Sequence, residues 1–436
     1  MTPASRCAAA IELLASVEAT DKPADRVIAE YLRERRYMGA KDRPAVLAHV
    51  YSVIRNRMAV EWWISRASTA KSSPRLALLA WLALGEGLTP DAIAELFCGK
   101  DYAPRILKVD ERKLLEDLSG KPLHPAEQPI AIAANCPEWL APYLERRFGG
   151  DFLEEMEALN QEAPMDIRVN TIRTSREAVL AELAKAGIEA QPTRLSPWGL
   201  RLASRRPITG LDLYRDGLVE IQDEGSQIVS LLTDVQAGQF VVDFCAGGGG
   251  KSLALAVAMR NKGEIAALDV SMRLARSGPR IKRAGARIVK VHRLIVDDPW
   301  LKDHRGSAHR VLVDAPCTGT GAWRRDPTAR LRLTPEELDR VIGVQRQVLR
   351  EAADLVKPGG RLIYATCSLL REESEDQVAW FLANQNEFAA VPVKKIWAEM
   401  IDRPCPAEGP YLVLTPKQHK TDGFFVAVFE CLGVAG

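Results

Sequence analysis

The stretch FVVDFCAGGGGKS, residues 240–252, places a short apolar strand directly before four glycines, a lysine and an apolar run typical of a helix. Glycines at a strand-to-helix turn let the backbone approach a ligand closely while helix amides point at it. The loop departs from two nucleotide-binding patterns, because a phosphate loop requires glycine where Cys245 stands and a dinucleotide fingerprint requires glycine where Ser252 stands. The turn therefore favours a nucleoside without a phosphate chain over the alternative of a tight turn with no ligand.

A second strand, 264–269, ends at Asp269. An acid at this place in an α/β fold can bind the two hydroxyls of a ribose. S-adenosyl-L-methionine has a ribose and no phosphate, so we expect it to be the cofactor. The residues predicted to bind it from the loop are Cys245, Ala246, Gly247, Gly248, Gly249, Gly250 and Lys251.

Strands and helices alternate from about residue 216 onward, which predicts a doubly wound, mostly parallel sheet. Ligands bind such sheets at the carboxyl ends of the strands. The clearest helix runs from Thr334 to Lys357, with an apolar stripe that includes Gln345 and with Gly359-Gly360 at its exit. The predicted strands are 240–244, 264–269, 287–291, 310–314, 361–366 and 424–429.

The residues before this region divide into two further predicted domains. Residues 1–128 carry apolar residues at helical spacing and are expected to form an all-α domain. Residues 129–215 form a small α/β domain, and residues 216–436 form the third domain. Predicted elements in the first two domains are helices 25–37, 43–65, 74–85 and 175–186 and a strand at 165–170.

The composition of the 436 residues, 47% hydrophobic and 27% charged, is ordinary for a soluble globular protein. The longest apolar stretch, residues 76–84, is too short to cross a bilayer. The amino terminus lacks the apolar core of a secretory signal, so we expect a cytoplasmic protein without a membrane partner.

Charge does not by itself identify a nucleic-acid partner, because the net charge is only +2. The distribution of charge is more informative than the net charge, since residues 273–293 contain eight lysines and arginines and no acidic residue. This basic run is compatible with RNA phosphates and equally with a solvated face.

Two of the eight cysteines stand apart from the others. No pair has C-x-x-C spacing and the histidines are scattered, so no metal site is predicted. Cys317 and Cys367, however, each lie just past a predicted strand, at the edge where the glycine loop lies. A packing cysteine would more often lie inside an apolar run, and this placement therefore favours chemistry.

Paired cysteines beside a methyl donor suit the methylation of cytosine at carbon 5. That carbon is too electron-poor to attack a methyl donor until a thiolate adds to carbon 6. A base must then remove the carbon 5 proton. Asp314 can interact with the base at N3 and N4, and Lys251 or a helix after Cys367 can lower the pKa of the attacking thiol.

The three segments Asp243–Lys251, Asp314–Gly321 and 365–368 together resemble the Sun/RsmB-type RNA cytosine-C5 methyltransferases. The supporting segments are 168–170, 219–227, Arg324-Arg325-Asp326-Pro327 and 421–425. The resemblance implies a Rossmann-like methyltransferase domain in which Cys367 is the nucleophile and Cys317 helps to release the product. It also implies that Asp269 and Asp314 line the pocket for cofactor and base.

The first 128 residues resemble the NusB-like RNA-binding domain of bacterial enzymes of this group, which implies 16S rRNA as the RNA partner. We expect no DNA partner and a monomeric protein. The loop departs from the family pattern, because Gly247-Gly248 stand where Ala-Pro is usual. A third cofactor acid is expected at Asp297, with Asp298 as the alternative.

The basic run and four further arginines, Arg324, Arg325, Arg330 and Arg332, are predicted to contact phosphates, which makes RNA binding salt-sensitive. Two other functions stay open. A DNA cytosine methyltransferase would use a cysteine after proline, as Cys317 follows Pro316, and an RNA-binding assembly factor would have lost catalysis.

Overall fold

The computed structural model describes residues 1–69 and 71–433. The chain forms two compact units, one comprising Met1–Gln161 with Trp323–Leu333 and the other Glu162–Ala322 with Thr334–Gly436. Among the described residues, no helix is both long and apolar enough to span a bilayer.

The first unit is helical, as the apolar spacing of its sequence predicts. The predicted helix 43–65 is two helices, because Asn56 interrupts it: its side-chain amide donates to the Ser52 carbonyl at 2.9 Å and competes with the helical backbone pattern. The helices are α1 (Pro3–Glu18), α2 (Ala24–Glu34), α3 (Asp42–Arg55), α4 (Arg57–Ala67), α5 (Pro74–Leu84), α6 (Pro90–Leu96), α7 (Val109–Leu118), α8 (Ile130–Ala133), α9 (Ala141–Phe148) and α10 (Phe152–Asn160).

The segment Trp323–Leu333 is part of this helical unit, and it corrects the prediction that Arg330 contacts phosphate. The Arg330 side chain is fully buried and donates to the carbonyls of Asn135 and Leu159 at 3.1 and 3.3 Å. Its guanidinium also lies over the Trp323 ring at 4.9 Å. Arg324 is buried as well, and Arg332 donates to Asp326 at 3.1 Å. Arg330 therefore stabilises the helical unit.

A small antiparallel sheet opens the second unit, with strand order β2-β3-β1-β4. The helix predicted at 175–186 is present, because the Ser175 hydroxyl caps it by accepting from the Ala178 amide at 3.2 Å. The elements are β1 (Met165–Val169), α11 (Arg176–Lys185), β2 (Ala190–Pro192), β3 (Gly199–Leu202), α12 (Asp212–Arg215) and β4 (Val219–Ile221).

The large sheet has the order β10-β12-β9-β8-β5-β6-β7, with β11 paired to β12. Strands β5 to β9 pair in parallel, whereas β10, β11 and β12 are antiparallel. This confirms the predicted doubly wound, mostly parallel sheet after a helical region. The strands are β5 (Phe240–Asp243), β6 (Glu264–Asp269), β7 (Val289–Arg293), β8 (Ala308–Asp314), β9 (Val356–Thr366), β10 (Phe388–Val391), β11 (Leu412–Leu414) and β12 (Phe424–Cys431).

Helices cover both faces of this sheet, because successive strand residues alternate between two apolar clusters. Val241 and Leu312 pack in one cluster, and Val242 and Val311 pack in the other. The helices are α13 (Glu224–Leu231), α14 (Gly250–Ala258), α15 (Met272–Ala275), α16 (Gly278–Ala284), α17 (Pro299–Asp303), α19 (Pro335–Ala353), α20 (Glu375–Asn384), α21 (Val393–Met400) and α22 (Pro416–His419), with α18 (Ala329–Arg332) in the helical unit.

The boundaries predicted for the helix 334–357 and for the strand 287–291 are wrong. The helix expected to reach Lys357 ends at Ala353, and β9 begins at Val356, so Gly359-Gly360 lie inside the strand and not at the helix exit. A register shift beside β8 accommodates this glycine pair. The strand expected at 287–291 lies two residues later, at 289–293.

Candidate active site

The loop between β5 and α14 contains two glycines with positive φ. Gly247 has φ +55° and Gly249 has φ +76°, and a side-chain carbon on Gly247 would meet nothing within 4 Å. The loop thus presents bare backbone to open space, at the carboxyl edge of the sheet. Such a cradle fits a ligand that approaches the main chain closely.

Asp269 anchors this loop from the end of β6. Its carboxylate accepts hydrogen bonds from the backbone amides of Gly247 and Ser271, each at 2.7 Å. From the other side, Arg280 donates to the Gly248 carbonyl at 2.9 Å and to Glu220 at 3.0 Å. The predicted cofactor acid therefore shapes the loop, and its remaining lone pairs are available to a ligand.

A cavity of about 780 Å³ begins beside the residue that follows Asp269. Asp297 lines it, exposed and with φ +54°. Asp298 instead accepts hydrogen bonds from the Ile295 and Trp300 amides at 3.1 and 3.0 Å, and it caps α17. Of the two acids weighed in the sequence, Asp297 is the one whose carboxylate is not committed to the cap.

Lys251 and Asp314 form an ion pair at this edge of the sheet. The Nζ of Lys251 donates to an Asp314 carboxylate oxygen at 2.6 Å and lies 5.6 Å from the centre of the Phe424 ring. Burial opposes the charge of Lys251, but the carboxylates of Asp314 and Asp243 and the sulfur of Cys367 raise its pKa above the ordinary value. Lys251 therefore remains a cation.

The sulfurs of Cys317 and Cys367 lie 3.3 Å apart. Both side chains are partly exposed. The pKa of Cys317 is raised well above its ordinary value by the hydrogen bond to Cys367, by burial and by the negative charges of Cys367 and Glu373. The raised pKa favours the protonated thiol at Cys317, and either sulfur can donate the hydrogen bond between the two.

The pKa values of Cys245 and Asp243 are both raised. Burial and the nearby acids raise the pKa of Cys245 well above its ordinary value. Burial raises the pKa of Asp243 to about 7, although the Ser252 hydroxyl donates to it at 2.6 Å. Cys245 therefore lacks the thiolate form that a nucleophile requires.

Asp243→Asn is expected to change how stability depends on pH. A carboxyl whose folded pKa is raised stabilises the fold at low pH and loses that stability as pH rises through about 7. The difference between the ordinary pKa of 3.8 and the folded pKa of about 7 sets an upper limit of about 4 kcal/mol on this effect. Between pH 4 and pH 8, we expect the free energy of unfolding of the variant to rise by about 1–3 kcal/mol relative to that of the wild type.

Urea denaturation at a series of pH values measures this difference. Asp212→Asn, at an exposed aspartate, is the matched control and should follow the wild type. A wild type that gains stability over Asp243→Asn as pH rises would contradict the assignment.

The loop after Cys317 is fixed by a close backbone approach. Gly321 accepts a hydrogen bond from the Gly423 amide at 2.8 Å and donates to the Cys367 carbonyl at 2.9 Å. A side-chain carbon on Gly321 would lie 2.5 Å from the Gly423 carbonyl oxygen, so both glycines are required. This contact brings three segments singled out in the sequence to one edge.

The proposed helical contribution to the charge around Cys367 is not present. The chain after Cys367 is irregular as far as Leu370 and then forms a single 3-10 turn at Arg371–Glu373. The next helix, α20, begins with the acidic residues Glu375 and Asp376. Lys251 is therefore the remaining candidate for favouring a thiolate.

Sequence reasoning missed two buried polar residues at the site. Glu373 accepts hydrogen bonds from residues beside both cysteines, and Gln345 donates to Glu373 and to the Pro316 carbonyl at 3.0 and 2.9 Å. A glutamine in the apolar stripe of the helix 334–357 was the available signal. Glu373 gave none, since it lies in a run of acids.

Some members of the basic run, residues 273–293, form ion pairs with acidic residues, and others are exposed to solvent. Arg280 and Arg283 both donate to Glu220, and Lys290 donates to Glu264 at 2.6 Å. The exposed members of the run are Arg273, Arg276, Lys282, Arg287, Lys290 and Arg293.

Two family models match this chain. Residues 230–430 match the 16S rRNA methyltransferase RsmB/F model, and residues 136–209 match the RsmF/B-like ferredoxin-like domain. The second match overlaps the small sheet.

Curated relatives carry the same description. A probable ribosomal RNA small subunit methyltransferase B from Bacillus subtilis is 31% identical over 68% of this chain and 66% of its own length. The ribosomal RNA small subunit methyltransferase B of Shewanella oneidensis is 30% identical over 68% of this chain and 67% of its own. The chain thus aligns with about two thirds of the length of these relatives.

Solved structures share the fold. PH0851 is 27% identical with a TM-score of 0.79 and covers 99% of both chains. A methyltransferase homolog protein from Pyrococcus horikoshii is 26% identical with a TM-score of 0.61, covering 71% of this chain and all of its own. NSun6 from Pyrococcus horikoshii with SFG, 21% identical with a TM-score of 0.59, covers 68% of this chain and 98% of its own.

Proposed function

Because the chain belongs to the RsmB/F methyltransferase family, we propose that it methylates carbon 5 of a cytosine in RNA, with 16S rRNA as the substrate. The family resemblance found in the sequence is thereby confirmed. The observation that carries the finer proposal is the 3.3 Å separation of two sulfurs, of which that of Cys367 interacts electrostatically with Lys251. In a methyltransferase, two adjacent thiols suit reversible addition to a pyrimidine, in which one sulfur adds and the other helps to release the product.

S-adenosyl-L-methionine is the cofactor of this proposal, and the loop fits it. The bare Gly247 backbone suits a nucleoside, and the remaining lone pairs of Asp269 can accept from ribose hydroxyls. A cavity of about 780 Å³ begins at Val270, the next residue after Asp269. Asp297 lines the same cavity. The cofactor supplies an electrophilic methyl group, and the side chains of this chain supply the rest of the chemistry.

Cys367 is the proposed nucleophile. Lys251 carries a positive charge close enough to interact with its sulfur, which favours a thiolate, and the Cys317 sulfur lies within hydrogen-bond distance of the same sulfur. The thiolate adds to carbon 6 of the cytosine, and the electron pair of the carbon 5–carbon 6 double bond moves to carbon 5. Carbon 5 would then take the methyl group as S-adenosyl-L-homocysteine leaves.

Cys317 and Asp314 act on the substrate after this addition. A base removes the proton from carbon 5, the carbon 5–carbon 6 double bond reforms and the Cys367 sulfur leaves. We assign this release to Cys317, which lies against the leaving sulfur. Asp314, held by Lys251, interacts with the cytosine at N3 and N4.

RNA phosphates are proposed to contact the exposed members of the basic run. Arg276→Ala combined with Arg287→Ala is expected to weaken RNA binding and to reduce the slope of log affinity against log salt by about 1–2. Filter binding across a salt series measures the slope. Arg215→Ala, at an exposed arginine outside the run, is the control, and an unchanged slope in the double variant would remove the run from the interface.

Methyl transfer tests the function directly. The purified protein, labelled S-adenosyl-L-methionine and 16S rRNA are expected to give RNA that carries the label at a single protected cytosine in bisulfite sequencing. Labelled RNA without a protected cytosine would place the methyl group elsewhere, and an unlabelled RNA would favour an assembly factor.

A further inference from the structure

Glu373 joins the two loops that carry the cysteines. Its side chain is fully buried, between the end of β9 and the start of α20. One carboxylate oxygen accepts from the Thr318 amide at 2.8 Å and from Gln345 at 3.0 Å. The other accepts from the Ser368 hydroxyl at 2.5 Å and from the Thr318 hydroxyl.

These donors are the direct neighbours of the reacting thiols. Thr318 follows Cys317 in the chain, and Ser368 follows Cys367. Gln345 adds a third connection, because its amide donates both to Glu373 and to the carbonyl of Pro316, the residue before Cys317. One side chain thus fixes both loops, which come from different strands.

We propose, on the basis of the proposed function, that Glu373 is a positioning residue that holds the two thiols together and keeps them chemically unequal. An ionised carboxylate is suited to the first task, since it alone among side chains accepts from four donors at once. Its charge serves the second, because two of its four hydrogen bonds come from Thr318, beside Cys317, and only one comes from Ser368, beside Cys367.

The balance of charges supports this division. Burial raises the pKa of Glu373 above its ordinary value, and the hydrogen bonds from Ser368, Thr318 and Gln345 limit that rise by favouring the ionised form. The Glu373 charge raises the pKa of Cys317, and Cys367 interacts with the Lys251 cation. The Glu373 charge therefore disfavours the thiolate form of Cys317.

Glu373→Gln and Glu373→Ala separate the two tasks. Glutamine keeps the shape, since its carbonyl can accept from Thr318 and Gln345 while its amide donates to the two hydroxyls, which can rotate. It removes only the charge. Alanine removes the connection between the loops as well.

Phenylarsine oxide reports the distance between the thiols, because one arsenic bonds to two adjacent sulfurs and releases water. The wild type and Glu373→Gln are expected to capture one equivalent, whereas Glu373→Ala should lose at least tenfold in affinity. Cys367→Ser, which has only one of the two thiols, gives the background level of phenylarsine oxide binding. Capture by Glu373→Ala at the wild-type affinity would overturn the positioning role.

Iodoacetamide labelling at a series of pH values, followed by peptide mass spectrometry, reports the charge effect. Glu373→Gln should move the pH midpoint for Cys317 down by about one unit, because a negative neighbour is lost. An unmoved midpoint would overturn the polarising role, and this variant gives that answer even where Glu373→Ala fails to fold.

Asp234→Asn is the matched control for the loss of a buried carboxylate. Asp234 accepts from Arg310 and Arg361 at 2.8 and 2.6 Å, near the opposite ends of β8 and β9. It should alter neither arsenical capture nor the midpoint. Since both measurements omit RNA and cofactor, their failure is distinct from a failure of methyl transfer, which would count against the proposed function alone.

Discussion

Cys367→Ala is expected to reduce methyl transfer by about 10⁴-fold or more, since removal of a covalent nucleophile leaves only binding and electrostatic contributions. Carbon 5 of cytosine does not attack a methyl group until a thiolate has added to carbon 6. Partly exposed, and 3.3 Å from a second thiol, the sulfur of Cys367 is placed for that addition.

Initial rates with labelled cofactor and RNA measure this loss. Cys98→Ala makes the same change at a partly exposed cysteine of the helical unit and should retain the wild-type rate. Activity of Cys367→Ala within tenfold of the wild type would exclude Cys367 as the nucleophile.

Lys251→Met is expected to reduce methyl transfer by about 10²–10³-fold, the size of effect found when a charge-stabilising group is removed from a buried site. The variant leaves the Asp314 carboxylate without its ion pair and removes the cation that interacts with Cys367. Alkylation of Cys367 by iodoacetamide should then require a higher pH.

Single-turnover kinetics and the pH series of alkylation test this expectation together. Lys394→Met, at an exposed lysine on α21 outside the basic run, is the control and should change neither measurement. Lys251→Met could lose turnover while its Cys367 is alkylated with the wild-type pH dependence. That result would show that Lys251 acts by holding Asp314 and not by favouring the Cys367 thiolate.

The convergence of the site was predictable because the carboxyl ends of parallel strands meet at one edge. Asp269, Asp314 and Cys367 each follow such a strand, and this placement is visible in the sequence. The 3.3 Å separation of the two sulfurs was not predictable from the sequence, because it depends on the hydrogen bonds that hold two irregular loops.

The residues that hold those loops carried little sequence signal. Glu372, Glu373 and Glu375 resemble a solvated acidic run, and only the 3-10 turn at 371–373 determines that Glu373 points inward. Arg330 misled in the opposite direction, because an arginine-rich segment suggests phosphate contacts. Its guanidinium is instead buried in the helical unit, where it donates to three acceptors.

Trapping of the covalent protein–RNA adduct is the most direct test of the two cysteine roles. Incubated with RNA and S-adenosyl-L-methionine, Cys317→Ala is expected to accumulate a species that stays joined under denaturing electrophoresis, because addition proceeds and release does not. Cys367→Ala should form none. An adduct in Cys367→Ala and none in Cys317→Ala would contradict the account and make Cys317 the nucleophile.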